Sequence, residues 1–134
     1  MLAVLPASAD NNRAVSVEQL PQKARAFISQ YFSGEKVAYA KREREFMETK
    51  YEVVFTGSAK VEFRGNGEWQ EVDCRYAAVP AGIVPAPINA KVQELYPGAV
   101  VVGIDRDKRD TEVKLNNRME LTFDRNYLLM DIDD

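Results

Sequence analysis

Apolar residues recur along this chain with two periods, and each period occurs twice. Leu20, Ala24, Phe27, Ile28, Tyr31 and Phe32 follow one another at one-, three- or four-residue steps, and Val84, Ile88, Val92 and Leu95 follow at three- or four-residue steps. That spacing gathers side chains on one stripe of an α-helix. Beyond each stripe the period falls to two: Tyr51, Val53 and Phe55, then Ala59, Val61 and Phe63, alternate with polar or exposed positions, as do Val113 and Leu115, then Met119, Leu121 and Phe123. These segments are predicted to be half-buried antiparallel strands. Pro21 and Pro85 fit the first helical turn and Gly34 and Gly98 the helix stop, while Gly65-Asn66-Gly67, Asn116-Asn117 and Asp124-Arg125-Asn126 supply tight turns.

The two patterns are one pattern written twice. At an offset of 64, Leu20-Pro21 falls on Val84-Pro85 and Phe32-Ser33-Gly34 on Tyr96-Pro97-Gly98; at an offset of 60, Tyr51-Glu52-Val53 falls on Thr111-Glu112-Val113 and Val61-Glu62-Phe63 on Leu121-Thr122-Phe123. The offset changes between Lys41 and Lys50, where the first copy has the longer, highly charged hairpin KREREFMETK. The organisation expected is a lead-in over 10–19, a first repeat over 20–75, a connector over 76–82 (YAAVPAG) and a second repeat over 83–134. One four-stranded sheet with one helix is marginal alone, so the copies are expected to join in an eight-stranded α+β sheet with helices on one face and the other open to solvent.

Composition narrows the chemistry. The chain has 134 residues, a net charge of -3, no histidine and a single cysteine, Cys74. This excludes histidine-based triads, histidine metal sites and any intrachain disulfide. The balance of charge gives no concentrated basic surface for nucleic acid, and no stretch reaches the length of a membrane span. Residues 1–9, MLAVLPASA, read as the end of a signal peptide, with small residues before polar Asp10-Asn11-Asn12. An exported protein is therefore expected, without cofactor or metal.

The repeat resembles the PepSY-like, putative β-lactamase-inhibitor-like family of exported bacterial proteins. The residues that carry the resemblance are Leu20-Pro21, Ala26-Phe27-Ile28, Tyr31-Phe32-Ser33-Gly34, Val61-Glu62-Phe63 and Gly67-Glu68-Trp69, then Val84-Pro85, Leu95-Tyr96-Pro97-Gly98 and Leu121-Thr122-Phe123-Asp124. The resemblance implies a periplasmic or secreted protein with a fold similar to β-lactamase inhibitory protein. This chain lacks the paired cysteines of that inhibitor, and it departs from the family pattern at Ser58-Ala59 and at Asn126-Tyr127-Leu128. The inhibitor's loops do not carry over.

Candidate chemistry is sparse. Glu43, Glu45 and Glu48 read as a solvated hairpin, Asp105, Asp107 and Asp110 as a mixed-charge edge, Asp131, Asp133 and Asp134 as a frayed acidic end, and Cys74 as a small buried hydrophobe. Strand parity places Glu52, Val54, Lys60 and Glu62 on the open face, with Glu112 and Lys114 in the second copy. Exposed aromatics such as Tyr39 or Trp69 would turn that solvated face into a binding face. Trp69 and Val72 stand three apart, so both can face the core only across a bulge; otherwise Trp69 is an anchor on the open face. The function expected is a non-enzymatic module that binds another envelope or secreted protein by the face or edge of its sheet. Two rivals are a small molecule or peptide in a cleft between the repeats, and a hydrolase built on Glu52 and Glu62.

Overall fold

A computed structural model describes residues 12–134, and the signal-peptide reading of residues 1–9 lies outside them. In chain order the elements are β1 (Asn12–Val15), a 3-10 turn (Val17–Gln19), α1 (Gln22–Tyr31), β2 (Val37–Glu45), β3 (Glu48–Phe55), β4 (Lys60–Arg64) and β5 (Trp69–Asp73). Then follow α2 (Ala86–Leu95), β6 (Val101–Arg106), β7 (Thr111–Leu115), β8 (Glu120–Phe123) and β9 (Leu129–Asp133). The nine antiparallel strands and two α-helices described make an α+β fold. The chain divides into two compact units, the first ending at Trp69 and the second beginning at Gln70.

In the first unit the strands follow chain order, β1-β2-β3-β4. Ala40, Val53 and Val61 form one buried cross-strand row, and Phe63 pairs with Tyr51 in the next. Helix α1 lies over this side, because the ring of Phe27 meets Phe63 edge-on at 5.6 Å and Phe32 stacks on Phe55 at 4.9 Å. Gly67 brings the hairpin beside the start of α1: its φ is +92°, and a Cβ there would come within 2.9 Å of Pro21 and Lys23, so only glycine fits.

The second unit runs β5-β6-β7-β8-β9. Its buried row is aliphatic, Val72 beside Ile104, Val113 and Leu121. Ile88 and Val92 of α2 have no solvent exposure, so the expected helical stripe is the buried one.

Three details differ from expectation. Strand β1 falls in the lead-in, where no element was expected. Its four residues show no alternating burial, and it is held by backbone pairing to β2, from Asn12 opposite Glu43 to Val15 opposite Ala40. Pro21 and Pro85 are the residues before the first helical turn, with extended ψ of 151° and 142°. Finally, the left-handed residue of each stop or hairpin is not always the one expected. Gly98 takes it (φ +83°) in a turn closed by the Ala99 N–H donating to Tyr96 O, but Gly34 does not. The hairpin loops 55–59, 64–68, 115–119 and 124–128 share one geometry, with the left-handed position held by Ser58, Gly67, Arg118 and Tyr127 rather than by asparagine. Asn66, Asn117 and Asp124 act through their side chains, each accepting a backbone N–H two residues further on, at 2.8 to 2.9 Å.

Candidate functional site

Each unit has a sheet face opposite its buried row. In the first unit that face carries Tyr39 beside Val54 and Lys60, then Lys41 beside Glu52 and Glu62, then Glu43 beside Lys50 and Arg64. Alternate signs meet across the strands. Lys41 reaches Glu43 at 3.3 Å and Glu52 at 3.6 Å, and Lys60 reaches Glu52 at 3.8 Å and Glu62 at 3.6 Å. The result is one ladder, Glu43–Lys41–Glu52–Lys60–Glu62, in which each lysine lies between carboxylates. The hydrogen bond to Glu43, with the Glu52 charge, holds the Lys41 ammonium above its ordinary value against a smaller opposing effect of burial.

The open face of the second unit carries different charges. One row sets Glu71 beside Asp105, Glu112, Thr122 and Asp131; the next sets Asp73 beside Gly103, Lys114, Glu120 and Asp133. Lys114 is the sole cation in these two rows. Burial, followed by the carboxylates of Glu120 and Asp105, pushes the Glu112 carboxyl up from the usual glutamate value; Lys114 pulls it down and Asp133 adds a smaller upward push. Gly103 contributes no side chain to its row, which leaves a shallow depression of about 150 Å³ bordered by Glu71, Asp73, Asp105, Glu112 and Lys114.

The candidate face residues thus fall into two sets. Tyr39, Glu52, Val54, Lys60 and Glu62 share the open face of the first unit, and Glu112 and Lys114 that of the second. Tyr39 is half exposed there, 51%. Trp69 does not join them: its ring lies 6.1 Å from Phe27 of α1, in the aromatic cluster on the helix side. Elsewhere in the sheet, two strand residues three apart do share one side. Leu129 pairs with Phe123 and Ile132 with Leu121, three residues apart yet both opposite buried partners, because the register shifts between Phe123 and Thr122.

Sequence reasoning missed the acidic rows. Asp131 and Asp133 are not a frayed end but members of β9, paired with Thr122 and Glu120. Asp105, expected in a mixed-charge edge, lies in β6 directly opposite Glu112. Their signal was present in the alternation of Gly103, Ile104 and Asp105 and of Asp131, Ile132 and Asp133, each an apolar residue between outward-facing ones. Cys74 is buried, as expected of a small hydrophobe.

An α+β protein with an antiparallel sheet and charged open sheet faces is the class these observations define. The model of the PepSY-like, putative β-lactamase-inhibitor-like family matches residues 49–131, and the chain belongs to that family. A solved structure described as a putative calcium-regulated periplasmic protein from Bacteroides thetaiotaomicron is 50% identical, with 93% of this chain and 98% of that one covered and a TM-score of 0.90. Two putative periplasmic proteins from Bacteroides vulgatus are similar as well. One is 44% identical over 94% of this chain and 99% of its own, TM-score 0.91; the other is 34% identical over 92% and 99%, TM-score 0.87. No curated protein matches. The protein is periplasmic, the exported location its sequence leads one to expect, and no helix among the described residues is long and apolar enough to cross a membrane.

Proposed function

We propose that this chain is a non-enzymatic binding module, made of two PepSY-like repeats, that takes hold of another envelope protein through the open face of its second unit. The observation that carries the reading is the excess of carboxylates in the rows through Asp105–Glu112 and Lys114–Glu120, around the depression at Gly103. Close carboxylates repel one another, and a partner surface bearing lysine or arginine relieves that repulsion on contact. The first unit's ladder already matches its charges internally and gains less from the same partner.

The Bacteroides thetaiotaomicron relative is described as calcium-regulated. In this chain no group of three or more Asp, Glu or Cys side chains that could hold a metal ion is found among the described residues. The acidic face is therefore read as a field for a basic protein surface. A hydrolase on Glu52 and Glu62 is the weaker reading, because both carboxylates are tied to Lys60 in an ion-pair ladder rather than set apart as an acid and a base.

The test is affinity capture from periplasmic extract, followed by calorimetric titration of the purified partner. Asp105→Lys with Glu120→Lys places lysine at the positions that Lys41 and Lys60 hold in the first unit, and it is expected to weaken binding by about tenfold or more, with a salt dependence that disappears in the variant. Unchanged affinity in a folded double variant rejects the reading.

A further inference from the structure

The hairpin joining β2 to β3 ends on Glu45-Phe46-Met47-Glu48, with Glu45 and Glu48 as its last paired residues. Three features of this tip run against local stability. Phe46 has a φ of +54° at the first central position of a two-residue loop, a conformation that favours glycine because a Cβ there crowds the backbone. Two like charges, Glu45 and Glu48, stand directly opposite each other. Phe46 and Met47, at 106% and 98% exposure, hold their apolar side chains entirely in water.

The hairpin of the second unit at the equivalent place has none of these features. It closes through Asp107, whose carboxylate accepts the N–H groups of Arg109 at 2.7 Å and Asp110 at 2.8 Å, and no residue from Asp107 to Asp110 has positive φ. A polar, self-capped turn therefore suffices to join these strands. The first unit instead has the longer hairpin, and the added length carries the exposed pair to its end. Rules of local stability broken together at one exposed point mark a site kept for a purpose other than folding.

We propose that Phe46 and Met47 are the apolar tip of a docking element that inserts into an apolar pocket on a protein partner, with lysine or arginine on the pocket rim facing Glu45 and Glu48. Phenylalanine and methionine are residues that interface cores favour. The rung beside the tip is acidic on both strands, with Arg44 and Lys50 one and two rungs behind it, so the charges that meet a partner first are Glu45 and Glu48, which anionic headgroups repel and a basic pocket rim attracts. The site is separate from the acidic face and does not rest on it.

The experiment places a benzophenone photo-cross-linking residue at position 46 in the full chain, exposed to periplasmic extract, and maps the cross-linked peptide. The purified partner so identified is then titrated against wild type, Phe46→Gly with Met47→Asn, Glu45→Lys with Glu48→Lys, and Asp105→Lys with Glu120→Lys. The expected results are a single cross-linked pocket and a loss of affinity of about tenfold or more in both tip variants. The Phe46→Gly, Met47→Asn variant should also melt at a higher temperature than wild type, so the loss is not one of folding. The proposal is overturned if no protein cross-links above the unirradiated control, if the partner binds the apolar-tip variant as tightly as wild type, or if vesicles of phosphatidylcholine and phosphatidylglycerol retain the chain through Phe46. Loss confined to the face variant overturns the tip and leaves the open-face reading standing. Loss confined to the tip variants supports the tip and rejects the face.

Discussion

The two units each carry one α-helix and a run of antiparallel strands with different residues on them, and the differences separate what the fold requires from what it permits. At sequence offsets of 64 and 60, Glu52 corresponds to Glu112, Lys41 to Asp105, Lys60 to Glu120 and Tyr39 to Gly103. The glutamate is common; its surroundings are inverted. In the first unit two lysines flank it within 3.8 Å, and in the second it stands beside Asp105 and close to Glu120. The interiors differ too, with Phe27, Phe32, Phe55, Phe63 and Trp69 clustered in the first and mostly aliphatic side chains in the second. Burial constrains only volume and apolarity, so both interiors work, while the outer faces have been free to take opposite charge.

The largest effect should come from the interiors. Phe63 and Phe123 are both fully buried at equivalent positions. Truncation of either to alanine removes the transfer energy and leaves a cavity, a cost of about 3–5 kcal/mol. Phe63→Ala should lie toward the top of that range, because it also loses the edge-on contact with Phe27, a geometry that adds about 0.5–1.5 kcal/mol. Urea denaturation of the two variants measures the difference; equal losses would mean that the aromatic cluster contributes nothing beyond its area.

Charge exchange between the faces is expected to be smaller and opposite in sign. Lys60→Glu breaks the contacts to Glu52 and Glu62 and sets like charges side by side, for a loss of about 1 kcal/mol that high salt should reduce. Asp105→Lys brings a cation directly between Glu71 and Glu112 and should stabilise by a similar or smaller amount. If both variants move stability in the same direction, the contrast between a lysine-laddered face and a carboxylate-rich face is wrong.

How far the sequence discloses this depends on which physical rule governs each position. Buried rows such as Val53–Val61 and Val113–Leu121 were legible because alternation in water leaves few other arrangements. The helices were legible from Leu20, Ala24 and Ile28 and from Ile88 and Val92, all of them buried. Strand β1 was not, since backbone pairing holds it and leaves no apolar pattern to read. Trp69 stayed ambiguous because it stands three residues from buried Val72, and simple alternation puts two such residues on opposite sides of a strand. The acidic rows were written in plain alternation, yet their meaning arises only when strands distant in sequence lie side by side, as Asp105 does with Glu112. The apolar tip at Phe46 and Met47 was hidden by its setting, a run of charges that reads as solvent-exposed throughout.

The finest test replaces one carboxylate in each face and follows stability against pH. In the folded second unit burial, with Glu120 and Asp105, raises the Glu112 carboxyl above the ordinary 4.5, so the fold retains a proton there that the unfolded chain has already released. The stabilisation from that proton is fully present below the unfolded value and is lost as pH rises through the folded one. At neutral pH the charged form is therefore a burden, and Glu112→Gln should be more stable than wild type, with an advantage that shrinks as pH falls through the raised folded value and is gone below about 4.5. Glu52→Gln should behave in the opposite way at neutral pH, since it removes the carboxylate held between Lys41 and Lys60 and costs up to about 1 kcal/mol. Thermal melts of both variants between pH 3.5 and 8, a range set about the ordinary glutamate value, decide the matter. A Glu112→Gln curve that runs parallel to wild type across that range would show that the neighbouring carboxylates do not act on Glu112, and the acidic face would then lose the repulsion on which its attraction for a basic partner depends.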